Sequence, residues 1–289
     1  MNKLFLFICL GAIMMYTSSC RIHNPRYFNS PSAHAPAFLE KKGDKMISAN
    51  IAIMPKDEYR ESDLSDSPDK TRESYTTGFD VRTAYAFSDQ FMATLGGLYR
   101  KEKDAFKDND VLQTASTSEI NYTRKALDIG IGVLFPFSER KRVIFNPIVG
   151  VNFGRSESVF TNTSHTINDN RVFHFNGNYH KFYLKPYFNF NFHRNFKMSA
   201  VPQFSFLKYS NIYDNYPQDA QELFGLNSLQ KRYLFLYEPA TFFQLGFDKV
   251  DWLKLDLGFV FSFYRYGENN PYKLRTRNFQ LSAGFSIYP

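Results

Sequence analysis

Residues 252–263 read WLKLDLGFVFSF. Every second position from Leu253 is apolar: Leu253, Leu255, Leu257, Phe259, Phe261 and Phe263. Between them stand Lys254, Asp256, Gly258, Val260 and Ser262, mostly small or charged. Side chains on a strand point to opposite faces in turn, so this period of two predicts a strand with one greasy face and one polar face. The pattern recurs. Phe279, Leu281, Ala283, Phe285 and Ile287 alternate with polar or small residues, as do Phe182, Leu184, Phe188, Phe190 and Phe192. So do Leu127, Ile129, Ile131, Val133 and Phe135, and then Phe196, Met198, Ala200, Phe204 and Phe206. The alternation predicts about ten strands, at 45–54, 76–87, 90–100, 120–137, 140–155, 179–193, 196–209, 232–247, 252–265 and 275–288. Many are longer than the usual globular strand.

The connections sort by length. After even-numbered strands they are tiny: Ser88-Asp89, Ser138-Glu139, Arg194-Asn195, and 248–251. After odd-numbered strands they are longer and polar: 55–75, 101–119, 156–178, 210–231 and 266–274. Short turns at one end and long loops at the other predict a closed antiparallel up-and-down transmembrane β-barrel. Its greasy face points out to lipid, because strands span a bilayer only when every backbone group is paired internally. A soluble lipocalin-like cup would invert the faces, and period two alone does not choose. The sorted loops, the long strands and 32 Phe with 19 Tyr favour the membrane barrel. Its lumen then receives Asp80, Arg82, Arg124, Asp128, Lys185, Glu238, Lys254 and Asp256.

The amino terminus points to export. Lys3 precedes the apolar run LFLFICLGAIMM, too short for a spanning helix, and Cys20 follows Thr17, Ser18 and Ser19. Residues 1–19 read as a signal peptide of lipoprotein type, with lipid on the Cys20 thiol. An ordinary secretory signal with an incidental cysteine is the alternative. Residues 20–44 read as a tether or periplasmic plug, and 45–289 as the barrel. Cys9 and Cys20 are the only cysteines, so the mature chain has no disulfide framework. An even strand count puts both termini with the short turns, on the periplasmic side of an outer membrane. The formal charge of +7 is dispersed among 28 acidic residues, without the Lys/Arg block of a nucleic-acid partner.

Several stretches carry a resemblance. They are YFNSPSAHAPAFLEKKGD before the first strand, GFDVRTAYAFSDQFMATLGGLY, LDIGIGVLFPF, YLKPYFNF, LYEPATFFQLGF and the closing FQLSAGFSIYP. With the lipoprotein-like start, they resemble a Bacteroidetes-type family of outer-membrane β-barrel proteins to which no single activity attaches. The resemblance implies the fold and leaves the activity open. Tyr288 is followed by Pro289, whereas many such barrels end on an aromatic residue.

Four prolines, Pro147, Pro186, Pro202 and Pro239, fall inside predicted strands, on the greasy parity of consecutive strands. Proline cannot donate to the ladder, and a shared belt of bulges is the expectation.

Catalytic signals are thin. His165 and His174 flank Asp169 in the third long loop, and His180 tops a strand; a rim hydrolase could use them. Their spacing matches no established dyad or metal pattern. His23 and His34 lie in the tether and His193 at a turn. Asp63, Asp66 and Asp69 recur every third residue in the first loop, without the spacing of an EF-hand. No cofactor or metal is expected. The favoured role is structural or surface-binding: long outer loops meet an extracellular ligand or protein while the wall meets outer-membrane lipid. A small pore for ions or polar solutes and the rim hydrolase are the alternatives.

Overall fold

The computed structural model describes residues 36–61, 70–108, 116–137, 142–164, 171–223, 226–265 and 279–289. Residues 1–19, Cys20, His23, His34, the 63–69 aspartates, Ser138-Glu139, His165 and Asp169 lie outside the described residues.

Ten strands form the wall: β1 (Lys45–Glu61), β2 (Lys70–Ala86), β3 (Phe91–Asp108), β4 (Ser116–Val133) and β5 (Val143–Ser164), then β6 (Arg171–His193), β7 (Phe196–Asp214), β8 (Leu234–Phe247), β9 (Val250–Phe261) and β10 (Phe279–Ile287). Short pieces at Phe135–Pro136 and Phe263–Arg265 continue β4 and β9. Each strand pairs antiparallel with its chain neighbour. β10 closes the ring on β1, from Ile47↔Ile287 to Ile53↔Leu281. A closed ring has no edge strand to template another chain.

The alternation places the side chains as expected. Ile51, Phe79, Ile131, Val149, Phe182 and Phe206 lie exposed on the outside, while Asn50, Asp80, Asn152, Lys181 and Ser205 are buried inside. This is the polarity of a barrel that faces lipid, the inverse of a lipocalin-like cup. On β6 the outward apolar band runs from Phe182 to Phe192, the length of about 9–11 residues that a tilted strand needs to cross hydrocarbon. Aromatic rings mark both borders. Phe137, Phe145 and Phe188 stack near the short turns, and Phe204, Tyr237 and Phe263 near the opposite end.

Two expectations need correction. First, the strands run past the apolar band: β1 reaches Glu61, β3 reaches Asp108 and β5 reaches Ser164. The long connections are therefore largely projecting hairpins, and 215–233 contains two helices, α1 (Gln218–Leu223) and α2 (Leu226–Leu229). Beyond the lipid the outer face meets water and turns polar like the inner one, so the sequence loses the contrast that reveals a strand. Second, the four prolines form a belt but not bulges. Pro147 is paired with Pro186 and Pro202 with Pro239, in unbroken register. Between β6 and β7 the ladder stops at Leu184↔Phe204 and resumes at Phe188↔Ala200, four residues later on each strand. Pro186 and Pro202 face each other in that gap, and neither has an N–H to donate. Equal spacing keeps the register and forfeits the ladder bonds. The register shift that does contain a proline lies between Met54 and Asp57.

Candidate functional site

The lumen is the chemically distinctive region. All eight residues expected there face inward, and they sort into separate clusters. In the first, Lys185 Nζ on β6 lies 3.4 Å from Asp128 Oδ2 on β4, and Arg82 Nη2 on β2 lies 3.5 Å from Asp128 Oδ1. The Tyr183 hydroxyl donates to Asp128 Oδ1 at 2.9 Å, and Arg82 Nη1 donates to the Tyr187 hydroxyl at 2.8 Å. The Lys185 ammonium also sits 3.9 Å from the centre of the Tyr183 ring. Two cations thus share one carboxylate, and two tyrosines add a hydrogen bond each.

A second cluster centres on Glu238 of β8, which is fully buried. Its Oε2 accepts from Lys181 Nζ at 3.0 Å, Gln203 Nε2 at 2.6 Å and Ser205 Oγ at 3.3 Å. Glu238 therefore pairs with Lys181 and not with Lys185, because the tilted strands stagger their rows. A third cluster joins Arg100 Nη2 to Asp80 Oδ2 at 2.6 Å, while Arg100 Nε donates to Gln280 Oε1 at 3.3 Å. Here Gly78 is required: a Cβ would lie 2.2 Å from the Tyr99 carbonyl and 2.7 Å from Arg100 Cδ. Lower down, Asp256 accepts from Gln244 Nε2 at 2.9 Å and from the Ser286 hydroxyl. Arg124 and Lys254 are buried on the same inner face.

Sequence reasoning missed Arg100, Lys181 and Gln203. Parity could have found Lys181, since Phe182 and Leu184 point outward and their neighbours must point in.

Apolar clusters close both ends of this polar zone. At the short-turn end the chain before β1 folds into the barrel floor. Ala37 and Leu39 pack with Met46, Met92, Leu134 and Ile148. Asn189 Nδ2 donates to the Ala37 carbonyl at 3.4 Å, and Glu40 Oε1 accepts from Asn191 Nδ2 at 3.3 Å and Lys197 Nζ at 3.2 Å. At the long-loop end Tyr216, Leu226 and Leu229 pack with Phe175, Tyr179, Leu207 and Leu236 as a lid. Asp214 holds the lid by accepting from the Tyr216 backbone N–H at 3.2 Å and from Gln221 Nε2 at 2.9 Å. Burial, and then the nearby Asp214 charge, push the Tyr216 phenol above its ordinary pKa, so it stays neutral. Between the ends, a cavity lined by Arg82, Gly96, Asp128 and Asn152 measures about 20 Å³, room for about one water molecule.

The described histidines stand elsewhere. His180 points outward and meets Phe153 edge-on, with ring centroids 5.5 Å apart. His174 is exposed, and its backbone N–H donates to Asn215 Oδ1 at 2.6 Å. His193 Nδ1 accepts from the Asn195 N–H at a turn. Among the described residues no group of three His, Cys, Asp or Glu could hold a metal ion.

No family model matches the chain, and no curated protein matches it. Among solved structures, the translocator domain of the autotransporter NalP from Neisseria meningitidis is similar at 8% identity and TM-score 0.48, over 85% of this chain and 88% of that one. The outer membrane protease OmpT from Escherichia coli is similar at 9% identity and TM-score 0.46, over 86% and 96%. Ail, the attachment invasion locus protein of Yersinia pestis, is similar at 13% identity and TM-score 0.27, over 86% and 100%. Likeness at this distance carries no function, and the architecture rests on the chain's own strand pairing.

Proposed function

We propose that the chain is an outer-membrane barrel with a closed lumen, whose role is structural or surface-binding through its projecting hairpins. The observation that carries this reading is the filling of the lumen. A zone of buried ion pairs lies between two apolar clusters, one built by residues 36–44 and the other by residues 215–233. Ions would have to displace Leu39 and Leu229, both fully buried, and to compete with charges already paired. The outward band of Phe, Ile and Leu supports placement in a bilayer. The strands that extend beyond it, such as β3 and β5, support an extracellular contact surface.

In the same reading, residues 1–19 are a signal peptide and Cys20 carries lipid, which anchors the tether on the periplasmic side. Metabolic labelling with a radioactive fatty acid tests this part: Cys20→Ala should lose the label, and a labelled variant would rule the anchor out. The closed lumen is tested in a planar bilayer, where the folded protein should pass no steady current. The surface-binding role predicts that replacing residues 62–69, which connect β1 to β2 in sequence, abolishes capture of an extracellular partner while the barrel keeps its heat-modifiable migration.

A further inference from the structure

The outer wall carries a feature that neither the lumen nor the hairpins explain. Above the apolar band, the first polar outward residue is basic on five adjacent strands. These are Lys101 on β3, Lys125 on β4, Arg155 on β5, His180 on β6 and Lys208 on β7. The strand pairing makes them neighbours: Lys125 is opposite Arg155, and His180 is opposite Lys208. Glu157 lies one step further out and bonds Arg155 Nε at 2.7 Å, with Asn176 on the same nitrogen at 3.0 Å. Both contacts fall on Nε, so the two terminal amino groups of the guanidinium fork remain for another acceptor. The Lys125 ammonium has the Tyr99 ring 5.9 Å away.

Directly below this arc the wall is hollow. A groove of about 680 Å³ opens on the outside, with Phe79, Val81, Leu127 and Phe153 as apolar walls and Lys125, Arg155 and His180 at its polar lip. Gly97 makes the hollow. Its missing side chain faces outward, and a Cβ there would meet no atom closer than the Ala126 carbonyl at 3.7 Å. Packing does not demand glycine here, so the space is open for an occupant.

We propose that this groove binds one outer-leaflet lipid whose headgroup carries phosphate, with an acyl chain along Gly97 and the phosphate on Lys125 and Arg155. The inference rests on the outer-membrane reading above. The fit is one of chemistry. A phosphate oxygen accepts well from a guanidinium fork and an ammonium, and the low dielectric beside an acyl chain strengthens both contacts. An apolar trough that ends in cations suits an amphiphile with an anionic head, in the way basic pockets hold anionic lipid headgroups. Lys101 and Lys208 extend the same potential along the wall. A free phosphate ion would use the lip and leave the trough empty.

The test uses the full chain, folded in a zwitterionic detergent and incubated with diphosphorylated lipid A, then analysed by native mass spectrometry. Wild type should retain one lipid. Retention should fall at least tenfold in Lys125→Gln/Arg155→Gln and in Gly97→Leu, which fills the trough without removing charge. Lipid A stripped of both phosphates should be retained at least tenfold less than the intact lipid. Should the double variant fail to fold, Gly97→Leu and the single variant Lys125→Gln carry the comparison, each with retention reduced. Equal retention in wild type and variants overturns the site, as does equal retention of the stripped lipid. Retention of inorganic phosphate at millimolar concentration with no lipid A retained would assign the lip to a free anion and overturn the lipid. Flotation of the wild type with phosphatidylcholine vesicles tests membrane insertion separately. Insertion without lipid A retention would sink only this proposal; no insertion would sink the outer-membrane reading as well.

Discussion

The middle of the lumen and its two ends exclude solutes by opposite means. The middle is charged: Asp128 serves Lys185 and Arg82, and Glu238 serves Lys181. The ends are apolar, built on Leu39 and Ile148 below and on Leu229 and Leu236 above. A buried charge stripped of its partner is costly, because water cannot reach it. A lost apolar contact costs in proportion to the space it leaves. The middle should therefore be brittle and the ends graded. The ends differ from each other too. The floor is tied by wall side chains, those of Asn189, Asn191 and Lys197, whereas the lid is tied by Asp214 at the end of β7 and by its own Asn215, which exchanges hydrogen bonds with His174 and Val172 of β6. Both ends are fastened to the wall, the floor by side chains of the strands and the lid by a side chain of its own.

The strongest way to break this contrast is in the middle. Glu238→Ala removes the carboxylate that the buried Lys181 ammonium bonds at 3.0 Å, and should cost about 3–5 kcal/mol in urea unfolding followed by heat-modifiable migration. Lys181→Met added to it should recover most of the loss, since an apolar replacement of the whole pair is nearly neutral. At the ends, Leu39→Ala and Leu229→Ala should each cost about 2–4 kcal/mol, by removal of a fully buried side chain. Their consequences should separate: Leu39→Ala should loosen residues 36–44 to protease from the short-turn side, and Leu229→Ala should loosen 215–233 from the other.

The proline gap sharpens the contrast in the wall. On β3 and β4 the pairing runs unbroken from Phe91↔Val133 to Asp108↔Ser116, whereas β6 and β7 lose it around Pro186 and Pro202. Pro186→Val with Pro202→Val should restore two ladder bonds and stabilise by about 1–2 kcal/mol in the same urea titration. The smallest effect belongs to the floor. Lys197→Ala removes a partly exposed pair with Glu40 and should cost below about 1 kcal/mol.

The wall was legible because lipid and lumen impose opposite demands on neighbouring residues. Phe182, Leu184 and Phe188 on one parity, with Lys185 and Tyr187 on the other, leave no second reading of β6. Legibility ended where that contrast ended. Lys101, Glu102, Lys103 and Asp104 are polar on both parities, so the outer third of β3 looked like loop, although Glu102 and Asp104 are buried inside. The lid was illegible for another reason. Its contacts depend on how 215–233 turns back over Tyr179 and Leu207, and helices of six and four residues carry no usable period. Among the lumen residues, parity placed Asp128, Lys185, Glu238 and Asp256 on the inner face, but their partners were hidden by strand tilt. Glu238 meets Lys181 across two strands, a stagger that only the closed barrel sets.

A filled lumen is the central claim. Single-channel recording of the refolded wild type in a planar bilayer addresses that claim most directly, with flotation and heat-modifiable migration confirming insertion and folding. A silent bilayer at both polarities is the predicted result. Steady, defined current steps from the folded wild type would contradict the closed lumen and place the small-pore function ahead of the surface-binding one.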